Sequence, residues 1–191
     1  MFARSLRPAV SLLLLMTALL GVVYPLVVTG VAQLVFPWQA NGSLIQRDGR
    51  IIGSTLIGQN FTDPKYFWGR PSATTPQAYD ATASTASNLG PLNPALIDAI
   101  KARVQTLRAA DPGNAPPIPV ELVTASASGL DPEISPAAAS YQAGRVARAR
   151  GLPLPKVQAL VASQLQGRLL GFIGEPRINV LELNLALDGL D

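Results

Sequence analysis

Three hydroxyl side chains close to a turn are the part of the sequence that most resembles a catalytic pattern. Thr124, Ser126 and Ser128 alternate with alanines directly before Gly129. A hydrolase would need one of these oxygens as nucleophile together with a base, and the chain contains neither histidine nor cysteine. The candidate bases are the lysines, Lys65, Lys101 and Lys156. The pattern is also typical of a turn whose hydroxyls bond backbone groups, and we favour that interpretation.

Metal and nucleotide chemistry find little support in the sequence. Asp131 and Glu133 flank a proline, but two carboxylates are too few to enclose a hard cation, and the usual zinc and iron sites need Cys or His. The chain also contains neither G-x-x-x-x-G-K-[ST] nor G-x-G-x-x-G, the glycine patterns that bind nucleotide phosphates. We therefore predict no catalytic, cofactor-binding or metal-binding residue.

The distribution of charge indicates how the chain is organised. Of its 15 basic residues, Arg4 and Arg7 precede a long stretch in which no residue before Arg47 is charged at neutral pH. The other 13 basic residues and all 12 acidic residues follow, so the remainder has a net charge of only +1. A nearly neutral body does not present the basic surface that nucleic-acid binding requires.

Residues 9–36 are apolar enough to cross a lipid bilayer. They read AVSLLLLMTALLGVVYPLVVTGVAQLVF, and a bilayer core of about 30 Å needs about 20 such residues in a helix. Pro25 removes a backbone donor in mid-span and predicts a kink near residues 21–25. Phe36 and Trp38 are placed to anchor the far end at the membrane interface.

The flanking charges predict the orientation of this helix. Arg4 and Arg7 lie on one side of it and no charge lies close to it on the other, which favours a cytoplasmic N-terminus. We expect residues 1–8 in the cytoplasm, 9–36 in the membrane and 37–191 exported. A cleaved signal peptide is the alternative, because residues 30–32 are small, but the apolar run exceeds the usual length of about 7–15 residues. Either outcome exports the rest of the chain.

Small residues recur along this helix. Thr17, Gly21, Pro25 and Thr29 are four residues apart, and small side chains at that spacing let another membrane helix approach closely. Such residues are also common in membrane helices generally, so the pattern has two interpretations. We name these four residues the small-residue face and treat it as a candidate contact with a partner helix.

Residues 37–191 predict a single domain of mixed helices and strands. The fold class is therefore α+β, with one N-terminal transmembrane helix followed by a mixed exported domain. Asp48-Gly49 between apolar pairs predicts a hairpin with a type I′ turn. Residues 63–93 predict an extended loop anchored by aromatic side chains, which are Tyr66, Phe67, Trp68 and Tyr79. Residues 120–124 predict a short strand.

Capping residues mark the starts of two helices. Asn93-Pro94 and Ser135-Pro136 each place an N-cap before a proline at the first helical position. The second helix is expected to end at Gly151. The first is expected to turn one apolar face inward, consisting of Ile97, Ile100, Val104 and Leu107.

Two further segments have helical patterns. A third helix from Pro155 is predicted to carry one apolar face made of Val157, Leu160, Val161, Leu165 and Leu169. Residues 178–190 alternate like a strand, but Asn179 and Glu182 form an N-cap and N3 pair, so we favour a helix. The basic run of Arg145, Arg148 and Arg150 is expected to be a solvated helix end, favoured by the helix dipole, and not a nucleic-acid site.

Six blocks of the sequence resemble, in order, those of the KdpC family, the C subunit of the bacterial potassium-transporting ATPase. The blocks are GSTLIGQ (53–59), YFWGRPSA (66–73), SNLGP (87–91), VELVTASASGLD (120–131), RVARAR (145–150) and NVLELNLALD (179–188). The resemblance covers nearly the whole chain, and block 120–131 is its most specific part.

The resemblance implies a non-catalytic accessory subunit of an ATP-driven potassium importer in the bacterial inner membrane, with its domain on the periplasmic side. Its partners would be a channel-like K⁺-translocating subunit, a P-type ATPase subunit and a small single-helix subunit, besides membrane lipid. ATP, Mg²⁺ and K⁺ would act in those partners, and no cofactor would bind this chain directly. The family is described as a catalytic chaperone that raises the ATP affinity of the ATPase subunit. With an exported domain, that effect has to pass through the membrane helix or through assembly. A membrane-anchored Ser/Lys hydrolase is the alternative function.

Overall fold

The computed structural model describes residues 2–190, and for residues 2–4 it describes the backbone only. Outside the described residues lie Met1, Asp191 and the Arg4 side chain. Met1 and Asp191 belong to the predicted end segments, and Arg4 is one of the two charges that predict the orientation of the helix. The chain divides into two compact units, Met1–Leu44 and Ile45–Asp191.

The first unit is mainly one long helix. Helix α1 covers Phe2–Ala18, a π-helical segment covers Leu19–Val23, and α2 covers Tyr24–Val35. Within the described residues, the 31 residues from Ser5 to Val35 form a helix apolar enough to cross a membrane. The most apolar stretch of this helix is not buried against the rest of the chain. The predicted N-terminal helix of membrane-spanning length is therefore confirmed.

The π-helical segment has a covalent cause. Pro25 has no N–H, so the carbonyl of Gly21 cannot receive the bond that would continue an α-helix. Just before the proline, the N–H of Tyr24 donates to the carbonyl of Leu19, five residues back instead of four. Where a kink was predicted near residues 21–25, the structure has a π-bulge.

Polar contacts order the chain where the long helix ends. The short helix α3 covers Pro37–Ala40. Trp38 Nε1 donates to the carbonyl of Leu44 at 3.0 Å, and Asn41 Nδ2 donates to Gln33 Oε1 at 3.1 Å. These bonds lie within the first unit.

Two short antiparallel pairs supply the strands. Strands β1 (Leu44–Arg47) and β2 (Arg50–Ser54) form a hairpin whose turn residues, Asp48 and Gly49, have φ of 53° and 74°. Positive φ at both positions is the signature of the predicted type I′ turn. Strands β3 (Glu133–Ile134) and β4 (Ile178–Asn179) pair far apart in sequence, with Ile134 opposite Ile178.

Four helices are described in the second unit, and three of them begin at the predicted caps. The four are α4 (Pro94–Ala110), α5 (Pro136–Arg150), α6 (Leu154–Ser163) and α7 (Val180–Asp188). Asn93, Ser135 and Asn179 each accept a hydrogen bond from a backbone N–H in the first turn that follows. Gly151, with φ of 65°, ends α5. The helical interpretation of residues 178–190 is confirmed for Val180–Asp188, whereas Ile178–Asn179 form β4, and the α+β fold class is confirmed.

The strand predicted at residues 120–124 is wrong. Val120–Leu122 form a 3-10 helix, in which the Leu122 N–H donates to the carbonyl of Pro119. Another 3-10 turn, Ala81–Ala83, interrupts the predicted loop 63–93. Both turns are short local structures that the apolar pattern does not distinguish from extended chain.

The predicted third helix extends too far. It ends at Ser163, and Leu165 and Leu169 are 45% and 67% exposed instead of continuing a buried face. Gly167 and Gly171, which follow directly, favour turns over helix, and this segment forms a hairpin.

One hydrophobic core holds the second unit together. Its least exposed large side chains include Phe67, Leu107, Leu122, Val146, Leu183 and Leu187. The predicted apolar face of α4 is buried only at its C-terminal end, because Leu107 is 2% exposed whereas Ile97 is 40% exposed. Phe67 and Trp68 lie inside this core, which confirms that the aromatic cluster anchors the loop.

Candidate functional site

Two of the three hydroxyl residues considered as nucleophiles bond the backbone. Thr124 Oγ1 donates to the carbonyl of Val120 at 2.9 Å, and Ser128 Oγ accepts from the N–H of Leu130 at 3.1 Å. Ser126 is buried, with 5% exposure. This is the turn interpretation that the sequence favoured.

The lysines contact other groups. Lys65 pairs with Asp63 at 3.5 Å, and Lys101 pairs with Asp98 at 3.8 Å. Lys156 Nζ donates to the carbonyl of Leu190 at 3.1 Å. In the described part of the chain, no hydrogen bond joins a lysine to Ser126 or Ser128, so the hydrolase hypothesis gains no support.

The two carboxylates considered for a cation are bound by guanidinium groups. Asp131 Oδ2 accepts from Arg70 Nη1 at 3.1 Å, and Glu133 Oε1 lies 2.7 Å from Arg177 Nε. Burial raises the pKa of Glu133, and the nearby Arg177 opposes that rise. Across residues 2–190, no three His, Cys, Asp or Glu side chains are grouped so that they could hold a metal ion.

Three buried polar side chains, Gln142, Arg145 and Asn184, converge instead on residues 63–70, which we name the aromatic loop. This loop contains neither helix nor strand, yet Phe67 is fully buried and Trp68 is 3% exposed. Buried backbone N–H and carbonyl groups need hydrogen-bond partners within the protein. The loop therefore depends on side chains for the bonds that a sheet would otherwise provide.

Two carboxamides pair with the backbone of consecutive loop residues. Asn184 Oδ1 accepts from the Phe67 N–H at 2.8 Å, and Asn184 Nδ2 donates to the Phe67 carbonyl at 2.9 Å. Gln142 does the same for Trp68, accepting at 2.8 Å and donating at 3.0 Å. Each carboxamide thus imitates the paired bonds of a neighbouring strand, and they tie the loop to α7 and α5.

Arg145 contradicts the prediction of a solvated helix end. Its side chain is buried, with 4% exposure, and its guanidinium carbon lies 4.3 Å from the centre of the Trp68 ring. It donates to the carbonyls of Pro64 and Tyr66 and to Gln142 Oε1. Burial lowers the pKa of Arg145 to about 10, and the guanidinium still stays charged at neutral pH. The loop carbonyls and the Trp68 indole compensate for the desolvation of the Arg145 guanidinium. The spacing of residues in the sequence cannot reveal these distant partners.

Three more arginines brace the same region. Arg103 donates to the carbonyls of Leu122 and Gly69, at 3.0 Å and 3.2 Å, and also lies over Trp68. Arg150 donates to the Lys65 carbonyl at 2.9 Å and to Asp188 Oδ1 at 2.5 Å. Arg70 donates to the Ala125 carbonyl at 3.3 Å, besides its pair with Asp131.

Tyr79 closes the far side of the loop. Its hydroxyl donates to the carbonyl of Arg70 at 2.5 Å, and burial raises the pKa of Tyr79 to about 12. Four of the blocks noted in the sequence therefore meet here, namely 66–73, 120–131, 145–150 and 179–188. Their polar residues hold the fold together.

The small-residue face lies on the first unit. All four of its residues, Thr17, Gly21, Pro25 and Thr29, are exposed. A methyl group added at Gly21 would meet only Thr17 Cγ2, at 4.0 Å. The face is therefore open along its described length.

The fold and these surfaces define a class of protein. It has one apolar helix of membrane-spanning length and a mixed α+β domain whose buried polar groups bind its own backbone. A family model described as "K+-transporting ATPase, c chain" matches residues 6–189, and the chain belongs to this family, KdpC.

Curated relatives agree with this assignment. Potassium-transporting ATPase KdpC subunits are 69% identical in Polaromonas naphthalenivorans (97% of this chain, 94% of the relative) and 67% identical in Variovorax paradoxus (96% and 95%). The subunit of Methylococcus capsulatus is 65% identical (96% and 97%). The resemblance inferred from the six sequence blocks is confirmed.

Sequence reasoning missed the roles of Gln142 and Asn184. A signal for Asn184 was present, because it lies between Leu183 and Leu185 in the apolar part of α7, and a polar residue there indicates a buried partner. For Gln142 the surrounding alanines carried no comparable contrast.

We expect Asn184→Leu to lower the free energy of unfolding by about 2–5 kcal/mol. The leucine has a similar volume, but it leaves the Phe67 N–H and carbonyl buried without their partners. Denaturant unfolding of the full chain in detergent measures the change. Asn60→Leu, at an exposed position, is the matched control and should shift stability by less than about 0.5 kcal/mol. Equal effects of the two substitutions would contradict the proposed role of Asn184.

Proposed function

We propose that this chain is a non-catalytic accessory subunit of a K⁺-transporting ATPase complex. The main support for this proposal is where the polar side chains bind. Buried Arg145, Gln142 and Asn184 bond the backbone of the aromatic loop, and not a site open to substrate. The family and the names of its relatives support a place in a potassium-transporting ATPase. Catalysis, ATP, Mg²⁺ and K⁺ then belong to partner subunits, and this chain binds no cofactor directly.

The first unit spans the inner membrane once, with the N-terminus in the cytoplasm and residues 37–191 in the periplasm. The charges of Arg4 and Arg7 support this orientation, because no charge follows the helix until Arg47. The partners are a channel-like K⁺-translocating subunit, a P-type ATPase subunit and a small single-helix subunit. An effect on ATP affinity would reach the cytoplasm through the membrane helix or through assembly.

The π-bulge supports the small-residue face as a partner contact. An uninterrupted α-helix turns about 100° per residue, which would place Thr29 about 120° around the helix from Thr17. The π-bulge inserts one residue more than a regular helix would have, so the angle between Thr29 and Thr17 falls to about 20°. Pro25 then lies about 20° from Thr17 in the opposite direction. The bulge therefore aligns residues that would otherwise wind apart.

Removing this chain from a cell that keeps the other subunits should abolish K⁺ uptake at micromolar K⁺. Uptake should return with the wild-type chain and equally with a chain carrying both Ser126→Ala and Ser128→Ala, since Ser128 Oγ bonds the backbone of a turn and Ser126 is buried. Normal uptake without the chain would refute the accessory role. Failure of the double variant, with the protein present at normal levels, would revive the hydrolase.

A phosphatase reporter that is active only outside the cytoplasm tests the orientation. Fused after Asp191 it should be active, and fused after Arg7, before the membrane helix, it should be inactive. The opposite pattern would reverse the topology and remove the basis for a periplasmic domain.

Gly21→Leu should reduce co-purification of the partner subunits, because the larger side chain holds a neighbouring helix away. Gly30→Leu is the matched control, since Gly30 lies about 120° from Thr17 once the bulge is counted, and a Cβ added there would meet no side chain of the described residues within 4 Å. Subunit yields after affinity purification in detergent give the readout. Equal yields for the two variants would show that this face makes no close contact.

A further inference from the structure

A well-formed hairpin projects between α6 and β4. We name residues 165–177 the apolar hairpin. Gln166 and Arg177 exchange backbone hydrogen bonds of 2.9 Å and 3.0 Å, and Leu169 and Ile173 exchange two of 2.9 Å. Four paired bonds give this segment a defined shape, although it lies outside the named strands.

The tip of the apolar hairpin exposes large hydrophobic side chains. Leu169, Leu170, Phe172 and Ile173 are 67%, 75%, 72% and 47% exposed. Single exposed leucines are ordinary on protein surfaces, but four large apolar residues within five positions form a contiguous patch. Such a patch indicates a contact with something other than water.

The backbone at the tip points to the same conclusion. Leu170 has φ of 54° and Gly171 has φ of 82°, so a leucine occupies a left-handed position that glycine adopts without strain. At 75% exposure the Leu170 side chain gains little from its own domain. A large apolar residue in a strained and exposed position is best explained by burial against a partner.

The base of the hairpin is fixed to the domain core. Arg177 Nε lies 2.7 Å from Glu133 Oε1, and the next residue, Ile178, is fully buried opposite Ile134. The tip is therefore presented on a rigid support, which reduces the entropy lost on docking.

The charges near the tip favour protein over lipid as the partner. Arg168 pairs with Glu175 at 2.7 Å and Arg177 pairs with Glu133, so the basic groups of the hairpin are already matched within the chain. Residues 165–177 also contain no Lys, Trp or Tyr, the residues that usually hold a segment at a membrane surface. An uncharged apolar groove complements this tip better than anionic headgroups do.

We propose that the tip of the apolar hairpin docks in an uncharged apolar groove on another protein subunit of the ATPase complex. This inference rests on the proposed function, because it requires that the chain assembles with such subunits. It adds a specific contact, formed by Leu169, Leu170, Phe172 and Ile173, to the contact made by the membrane helix.

Single-cysteine labelling tests the contact, since the chain has no native cysteine. Phe172→Cys reports on the tip, and Leu92→Cys, at a position 90% exposed, is the matched control. The rate of reaction with a bulky maleimide is measured for each variant in two states, the chain alone in nanodiscs and the purified complex. We expect complex formation to slow labelling at position 172 by at least about tenfold and to leave position 92 unchanged.

Three results would overturn the proposal. Slow labelling at position 172 in the chain alone would indicate lipid or a second copy of the chain as the occupant. Equal labelling in both states, with the subunits co-purifying, would mean that the tip stays free while the proposed function stands. Failure of the wild-type chain to co-purify with any subunit would remove the proposed function and this contact with it.

A second variant separates docking from folding. Phe172→Asp should reduce subunit co-purification by about tenfold, because a charge would enter an apolar groove, without changing the unfolding temperature of the chain. Leu92→Asp should leave both measurements unchanged. Normal assembly with Phe172→Asp would also overturn the proposal.

Discussion

Burial of an irregular loop is the constraint on which the second unit depends. Phe67 and Trp68 bring large aromatic surfaces into the core, but their backbone N–H and carbonyl groups enter with them. Each buried polar group without a partner would cost about 1–3 kcal/mol. The carboxamides of Gln142 and Asn184 supply those partners from α5 and α7. Phe67 and Trp68 can therefore be buried with their backbone groups hydrogen-bonded only when α5 and α7 are both in place.

The choice of arginine follows from the same constraint. A guanidinium presents several planar donors and stacks on an aromatic ring, so Arg145 bonds two loop carbonyls and Gln142 while covering Trp68. A lysine would offer one compact ammonium group in that place. Charged residues are only 14% of the chain, and several of its arginines are used to bond backbone carbonyls within the domain.

What could be predicted from the sequence was local. The N-caps at Asn93, Ser135 and Asn179 form with residues two or three positions away, and the type I′ turn needs only Asp48 and Gly49. Features set by distant contacts could not be read in this way. Arg145 resembles any basic residue near a helix end until the loop carbonyls some 80 positions earlier are placed around it. The apolar hairpin was mistaken for helix because Leu165 and Leu169 continue a helical spacing through Gly167.

The two surfaces proposed for partners share a physical property. In the first unit the irregularity is encoded covalently, because Pro25 lacks the donor that a regular helix would need, so the small residues stay aligned without a partner. In the second unit paired backbone bonds shape the apolar hairpin before it meets anything. Preformed surfaces lose less conformational entropy on association than flexible ones. Such surfaces suit the proposed role of an accessory subunit that assembles with larger partners.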